Sequence, residues 1–118
     1  RIATQTNQDF TVEHGYETPK ELEEANIKKE FDECMQKAKE TYNKIKEEFP
    51  KQAQYIIPLA YRKRVLMTMN LRTLFHFIKL RSTKMGHISY RKIAWQMYDL
   101  IKEKHPLLAK YISVDKEN

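Results

Sequence analysis

The 118-residue chain predicts a mainly α-helical fold: a long helix, one or two short strands, then a helix–loop–helix. Three observations carry this expectation. Leu22, Ile27, Phe31, Cys34, Met35, Ala38, Tyr42, Ile45 and Phe49 recur at helical spacing over about eight turns. Two further helical periods follow Asn70 and Ser89. Between them, Tyr61–Met69 alternates cations with Val65 and Thr68 in a way that suits a buried strand at least as well as a helix, and a strand is the preferred reading.

Taken in order, residues 1–17 are polar, and Thr4, Thr6, Phe10, Thr11 and Val12 suggest short extended pieces, with a turn at Gly15. Thr18-Pro19 predicts an N-cap followed by proline at the first helical position, with Glu21 placed for a capping box. The long helix from there to Phe49 is scaffold with a solvated Glu/Lys face and a longer apolar edge for an oligomer contact; Pro50 stops it. Lys51 to Ile57 allows two helical turns before Pro58. The Tyr61–Met69 strand delivers the chain into Asn70, whose side chain caps a helix through Arg81. Leu71, Leu74, Phe75, Phe77 and Ile78 form its apolar side. Ser82–His87 is a loop containing Gly86, and Ser89 caps a helix over Tyr90–Lys104 with Ile93, Ala94, Met97, Leu100 and Ile101 inward. Pro106 starts a last short helix through Tyr111, within a helical core of residues 18–112, and residues 113–118 fray.

Length and composition fit one domain with a modest core: 32% of residues are charged and 41% hydrophobic. No apolar run is long enough to span a bilayer as a helix. The chain starts at Arg1 with no signal-peptide pattern, which reads as a piece cut from a longer protein or a processed one. The lone Cys34 is expected to be a small buried hydrophobe, and it fits a reducing compartment. Net charge is +6, but residues 1–50 hold 8 Lys/Arg against 12 Asp/Glu, whereas residues 51–118 hold 14 against 4. A ligand-facing surface for anions therefore belongs to the second half.

Within that half the helix after Asn70 stands out. Arg72, His76 and Lys79 lie three to four residues apart and form a polar stripe, with Arg81 at the C-terminal end. An amide, an imidazole and two guanidiniums directed one way would suit an anionic, hydrogen-bonding ligand. Each has an ordinary reading as well: solvent-exposed helix cations, a satisfied interfacial histidine, a simple N-cap. The two glycines form no phosphate loop, and His14, His76, His87 and His105 lack metal-site spacing. Tyr61-Arg62-Lys63-Arg64 and Tyr90-Arg91-Lys92 interleave aromatics with cations, so a basic helical nucleic-acid-binding module is an alternative.

The segment IPLAYRKRVLMTMNLRTLFHFIKLR, ending at Arg81, resembles the C-terminal part of the flavin-dependent thymidylate synthases, the ThyX family. That family reads Asn-x-Arg-Ser/Thr-Leu-x-His/Asn-Phe-x-x-Leu-Arg, which Asn70, Arg72, Thr73, Leu74, His76, Phe77, Leu80 and Arg81 match at the same spacing. The closing helix and its KEKHPLLAKY ending are also similar, so the resemblance runs roughly over residues 18–112. It implies a fragment or half-domain of an α/β ThyX-like fold. It also implies a cytoplasmic homotetramer that uses FAD, reduced by NADPH, to pass a one-carbon unit from methylene-tetrahydrofolate to dUMP, giving dTMP. By resemblance Asn70, Arg72 and His76 contact FAD with the Leu71 backbone alongside. Arg81 matches the catalytic arginine that hydrogen-bonds the uracil ring and favours ionisation at N3.

The match has departures. The family signature Arg-His-Arg-x-x-Ser-x-Asn-Glu-x-Ser-x-Arg is absent and is expected upstream, with Arg1 a weak match to its last arginine. Gln54 stands where the family carries a nucleotide-binding arginine, and Ala60 where it carries an asparagine. Ser82–Ser89 departs from the usual Ser-His-Ala-Gln, with His87 as a shifted counterpart. The chain by itself is therefore expected not to make dTMP. A degenerate ThyX-like domain kept for assembly is the alternative to a piece of an active enzyme.

Overall fold

The computed structural model describes residues 3–116. The elements are β1 (Ala3–Asn7), α1 (Lys20–Glu24), α2 (Lys28–Lys46), a 3-10 turn (Gln52–Ile56), β2 (Val65–Met69), α3 (Leu71–Arg81), α4 (Ile88–Lys104) and α5 (Pro106–Ala109). This is the mainly α architecture the periodicities predict; a strand does precede Asn70, but it covers only Val65–Met69 and is exposed up to Met69, which corrects the expected burial. β1 and β2 pair in a two-stranded sheet. The Gln8 amide donates to the Arg64 carbonyl at 3.1 Å, just past the end of β1 and just before β2, so the strands run antiparallel. The chain divides into two compact units, residues 6–66 and residues 67–116 with 3–5.

In the first unit α2 lays Phe31, Met35, Ala38, Tyr42 and Ile45 along one side, against Val12, Tyr16, Ala53 and Tyr61. Gly15 turns the chain at φ 74°, a value that needs no strain only in glycine. The turn lets Tyr16 bridge antiparallel to Tyr61. The Tyr61 ring is buried, and its hydroxyl donates to the Met35 carbonyl at 2.7 Å. Cys34 is exposed, contrary to expectation. Its neighbour Met35 holds the inward position, and one residue along a helix is about 100° of rotation, enough to carry the thiol off the buried stripe.

The long helix is also interrupted. Asn26 takes φ 58°, and the Ile27 amide reaches the Leu22 carbonyl at 3.1 Å while the Asn26 amide reaches Glu23 at 3.2 Å. These are the two bonds of a Schellman ending, with asparagine in the left-handed position it tolerates better than most residues. Apolar periodicity passes through such a break because Leu22 and Ile27 still fit the pattern. The start of α1 differs too: Pro19 is the N-cap, no side chain caps the helix, and so the Thr18–Glu21 capping box is not formed.

Tyr16 donates its hydroxyl to Asp32 at 2.6 Å, and this bond, with partial burial and the aspartate's charge, raises its pKa above 10.0. Burial raises Tyr61 in the same direction. The folded chain thus holds these phenolic protons more tightly than the unfolded chain. Their contribution to stability is whole below pH 10.0 and is lost as pH rises through the raised values. Asp32→Asn is expected to bring Tyr16 ionisation back toward the ordinary value, read by phenolate absorbance during an alkaline titration. An unchanged Tyr16 transition would remove the aspartate as the cause.

In the second unit Ile78, Ala109 and Ile112 form the core, with Leu74, Phe75, Met97, Tyr98, Ile101 and Val114 around them. α4 turns Arg91, Ala94 and Ile101 inward, and leaves Ile93 and Leu100 at 55% and 64% exposure, correcting their expected burial. The buried phase runs 91–94–98–101, and counting Arg91 as surface shifts the apparent stripe. His87, not Ser89, caps α4: its Nδ1 accepts from the Ser89 amide at 3.2 Å. The segment expected to fray is tied down as far as Lys116. The Asp115 amide donates to Ser82 Oγ at 3.0 Å, its carbonyl accepts from Trp95 Nε1 at 2.6 Å, and Lys116 pairs with Asp99 at 2.6 Å.

Candidate functional site

α3 begins as its sequence dictates. Asn70 has extended backbone, and its side-chain oxygen accepts from the Thr73 amide at 2.9 Å. That oxygen is committed to the cap, which leaves the side-chain NH2 as what Asn70 can offer a ligand. Leu71 follows at the first helical position, where the helix itself does not use the backbone amide. Its side chain is 38% exposed, so it adds less to the core than the apolar phase suggests.

Arg72, His76 and Lys79 are exposed along one side of α3. α3 contains no acidic residue, and none of the three makes an ion pair or hydrogen bond within the described residues. A surface of this kind favours an anion: donors are unpaired, and no carboxylate competes for them. These are donors of the kind that hold an anionic group.

Arg81 does not share that side. It lies nine residues beyond Arg72 on one unbroken helix, about two and a half turns, hence on the opposite side. The expectation that all these groups point one way is corrected by the continuity of α3. Arg81 is exposed, without ion pair or hydrogen bond among the described residues, and its guanidinium carbon lies 5.7 Å from the Tyr90 ring centroid. Two unpaired cationic surfaces therefore leave one helix in different directions.

The end of α3 is held by residues that sequence reasoning placed elsewhere. Arg91 is 4% exposed and its Nε donates to the carbonyl of Ser82, the α3 C-cap, at 3.1 Å. Its guanidinium also lies 5.1 Å from the Trp95 ring centroid. Buried Tyr61 and buried Arg91 are thereby withdrawn from the two aromatic–cation runs suggested for nucleic acid. In the same runs Arg62 faces Glu17 at 3.7 Å, and Lys63 sits over Phe10 at 4.7 Å.

Gln54 lies in the other unit. Its Oε1 accepts from the Phe10 amide at 3.0 Å, tying the 3-10 turn to the segment after β1. An arginine could not take this place, because a guanidinium has no acceptor. Arg1 lies outside the described residues. Among those residues no group of three His, Cys, Asp or Glu could hold a metal ion, and no helix is long and apolar enough to cross a membrane.

α3 is thus a cationic helix whose Arg72, His76, Lys79 and Arg81 have no ion-pair partner among the described residues. The family model for thymidylate synthase complementing proteins matches residues 1–107, and the chain belongs to that family. It is 40% identical over 112 residues to a UPF0159 protein of Chlamydia muridarum, covering 95% of this chain and 21% of the relative. A UPF0159 protein of Thermoplasma acidophilum is 38% identical over 111 residues, 92% of this chain and 22% of its own. The flavin-dependent thymidylate synthase of Sulfurisphaera tokodaii is 32% identical over 97 residues, 80% of this chain and 37% of its own. The chain thus spans 21% to 37% of the length of these relatives.

Proposed function

We propose that the protein carrying this chain is a flavin-dependent thymidylate synthase, in which α3 contributes to two sites. The observation that carries the reading is the pair of unpaired cationic surfaces on α3, Arg72 with His76 on one side and Arg81 on the other. On the first side Arg72 and His76 hold the charged part of FAD, and the Asn70 NH2 and the Leu71 amide hydrogen-bond beside it. FAD, reduced by NADPH, supplies the redox chemistry for a one-carbon transfer from methylene-tetrahydrofolate to dUMP. On the second side Arg81 donates to the uracil ring of dUMP. A fixed guanidinium there lowers the cost of negative charge at N3 and its neighbouring oxygens, an electrostatic role of the oxyanion-hole kind.

Gln54 adjusts the nucleotide side of the reading. With its oxygen on the Phe10 amide, it offers the nucleotide only its NH2, a weaker anion ligand than arginine. A homotetramer and a cytoplasmic setting belong to the same reading. Arg72→Ala with His76→Ala is expected to weaken FAD binding by about 10- to 100-fold, as loss of charge-assisted hydrogen bonds does. Flavin fluorescence titration of the protein carrying the chain measures it. Undiminished FAD affinity in the double variant would defeat the flavin assignment. Absence of any FAD binding in the unaltered protein would favour a domain kept for assembly.

A further inference from the structure

We propose that Tyr90 is a positioning residue for Arg81, and that Gly86 is what admits it. The proposal rests on the reading of Arg81 as the uracil-binding guanidinium. Arg81 is the last residue of α3, is exposed, and makes no hydrogen bond or ion pair among the described residues. A long side chain at a helix end samples many rotamers, and each productive encounter with substrate must wait for one of them. The contact that restrains it is the Tyr90 ring, 5.7 Å from its guanidinium carbon, within the range of a cation–π interaction. An aromatic neighbour restrains the cation without using its N–H donors, which an acidic partner would occupy.

The backbone that carries the ring is held in place, while the residue itself is 39% exposed. Tyr90 occupies the first turn of α4, whose start is capped by His87. The next residue, Arg91, is buried and bonded to the Ser82 carbonyl, directly after Arg81. The intervening loop closes with the Gly86 amide on the Thr83 carbonyl at 3.0 Å. A β-carbon on Gly86 would fall 2.4 Å from the Tyr90 hydroxyl oxygen, 2.5 Å from Cε2 and 2.7 Å from Cζ. The tyrosine thus lies across the place a side chain would take. Gly86 has no positive φ, so its backbone accepts alanine, and what must move is the ring. Glycine is needed here for Tyr90 and not for the turn. This makes Gly86→Ala a way to displace the ring while leaving Tyr90 in the sequence.

The test uses the full-length protein that carries this chain, with Arg81→Ala alone and with Tyr90→Phe, Tyr90→Leu and Gly86→Ala each made alone and in the Arg81→Ala background. Tyr90→Phe keeps the ring face and is expected to retain kcat. Tyr90→Leu and Gly86→Ala are expected to lower kcat roughly tenfold, the return of a contact of this kind, while FAD affinity holds. In the Arg81→Ala background both should have no further effect, since a residue acting through Arg81 has nothing left to position. Undiminished kcat in Tyr90→Leu overturns the proposal. So does an effect that adds fully to that of Arg81→Ala, or a Tyr90→Phe as impaired as Tyr90→Leu. Arg81→Ala with full turnover instead defeats the reading beneath it, whatever Tyr90 does. If dUMP binds without turnover, the same series is read as dUMP affinity by calorimetry. If dUMP is neither bound nor converted, the Arg81 reading and this proposal both fall.

Discussion

Arg81→Ala in the protein carrying this chain is expected to lower dUMP turnover by about 100- to 1,000-fold, the usual cost of removing one donor to a developing anion. FAD affinity should hardly change. The separation follows from α3 being one continuous helix, with Arg81 on the side away from Arg72 and His76. Arg81→Lys should recover little, because an ammonium cannot present the planar pair of donors that a pyrimidine edge accepts. Steady-state kinetics with dUMP, together with a flavin titration, reads both quantities. Loss of FAD binding in Arg81→Ala would mean that this arginine serves the flavin instead.

What the sequence disclosed and what it hid divide along physical lines. Asn70 and its helix are legible because the cap acts within three residues and the apolar positions repeat at the helical period. The strand into Asn70 is legible from Val65 and Thr68 among alternating neighbours. The break at Asn26 is not, because a Schellman ending spends one residue in the left-handed region while the apolar pattern runs on across it. His87 hides as a cap because an imidazole Nδ1 takes the capping role expected of the hydroxyl of Ser89, two residues later. Arg91 hides most deeply. Its value lies in a carbonyl nine residues earlier, and in sequence it looks like one more basic residue beside Lys92.

Gln54 shows the same limit from the other direction. As a departure from the family arginine it reads as a loss of nucleotide contact. In the structure its oxygen accepts from the Phe10 amide across 44 residues of sequence. One residue thus gives up a cation and gains a structural acceptor, a trade visible only once Phe10 and Gln54 are adjacent. The Asn70–Arg81 block keeps the family pattern, so the cationic helix is the part of the proposed site that is legible in the sequence.

Arg91→Ala is expected to destabilise the fold by about 3 kcal/mol, among the larger single-residue effects in this chain. The Arg91 side chain is 4% exposed and its Nε supplies the Ser82 carbonyl, which sits at the end of α3. Alanine there leaves that carbonyl without its donor, removes the aliphatic stem from between α3 and α4, and frees the Trp95 face. Arg91→Met separates these contributions. It keeps most of the stem volume, so it should recover about half of the loss and leave the hydrogen-bond deficit. Because Ser82 Oγ also takes the Asp115 amide, the tail should loosen along with α3. Urea midpoints of the three proteins give the energies, and hydrogen exchange at the Asp115 amide reports the tail. Equal midpoints for Arg91→Ala and the unaltered protein would show that the buried guanidinium costs as much to desolvate as its contacts return.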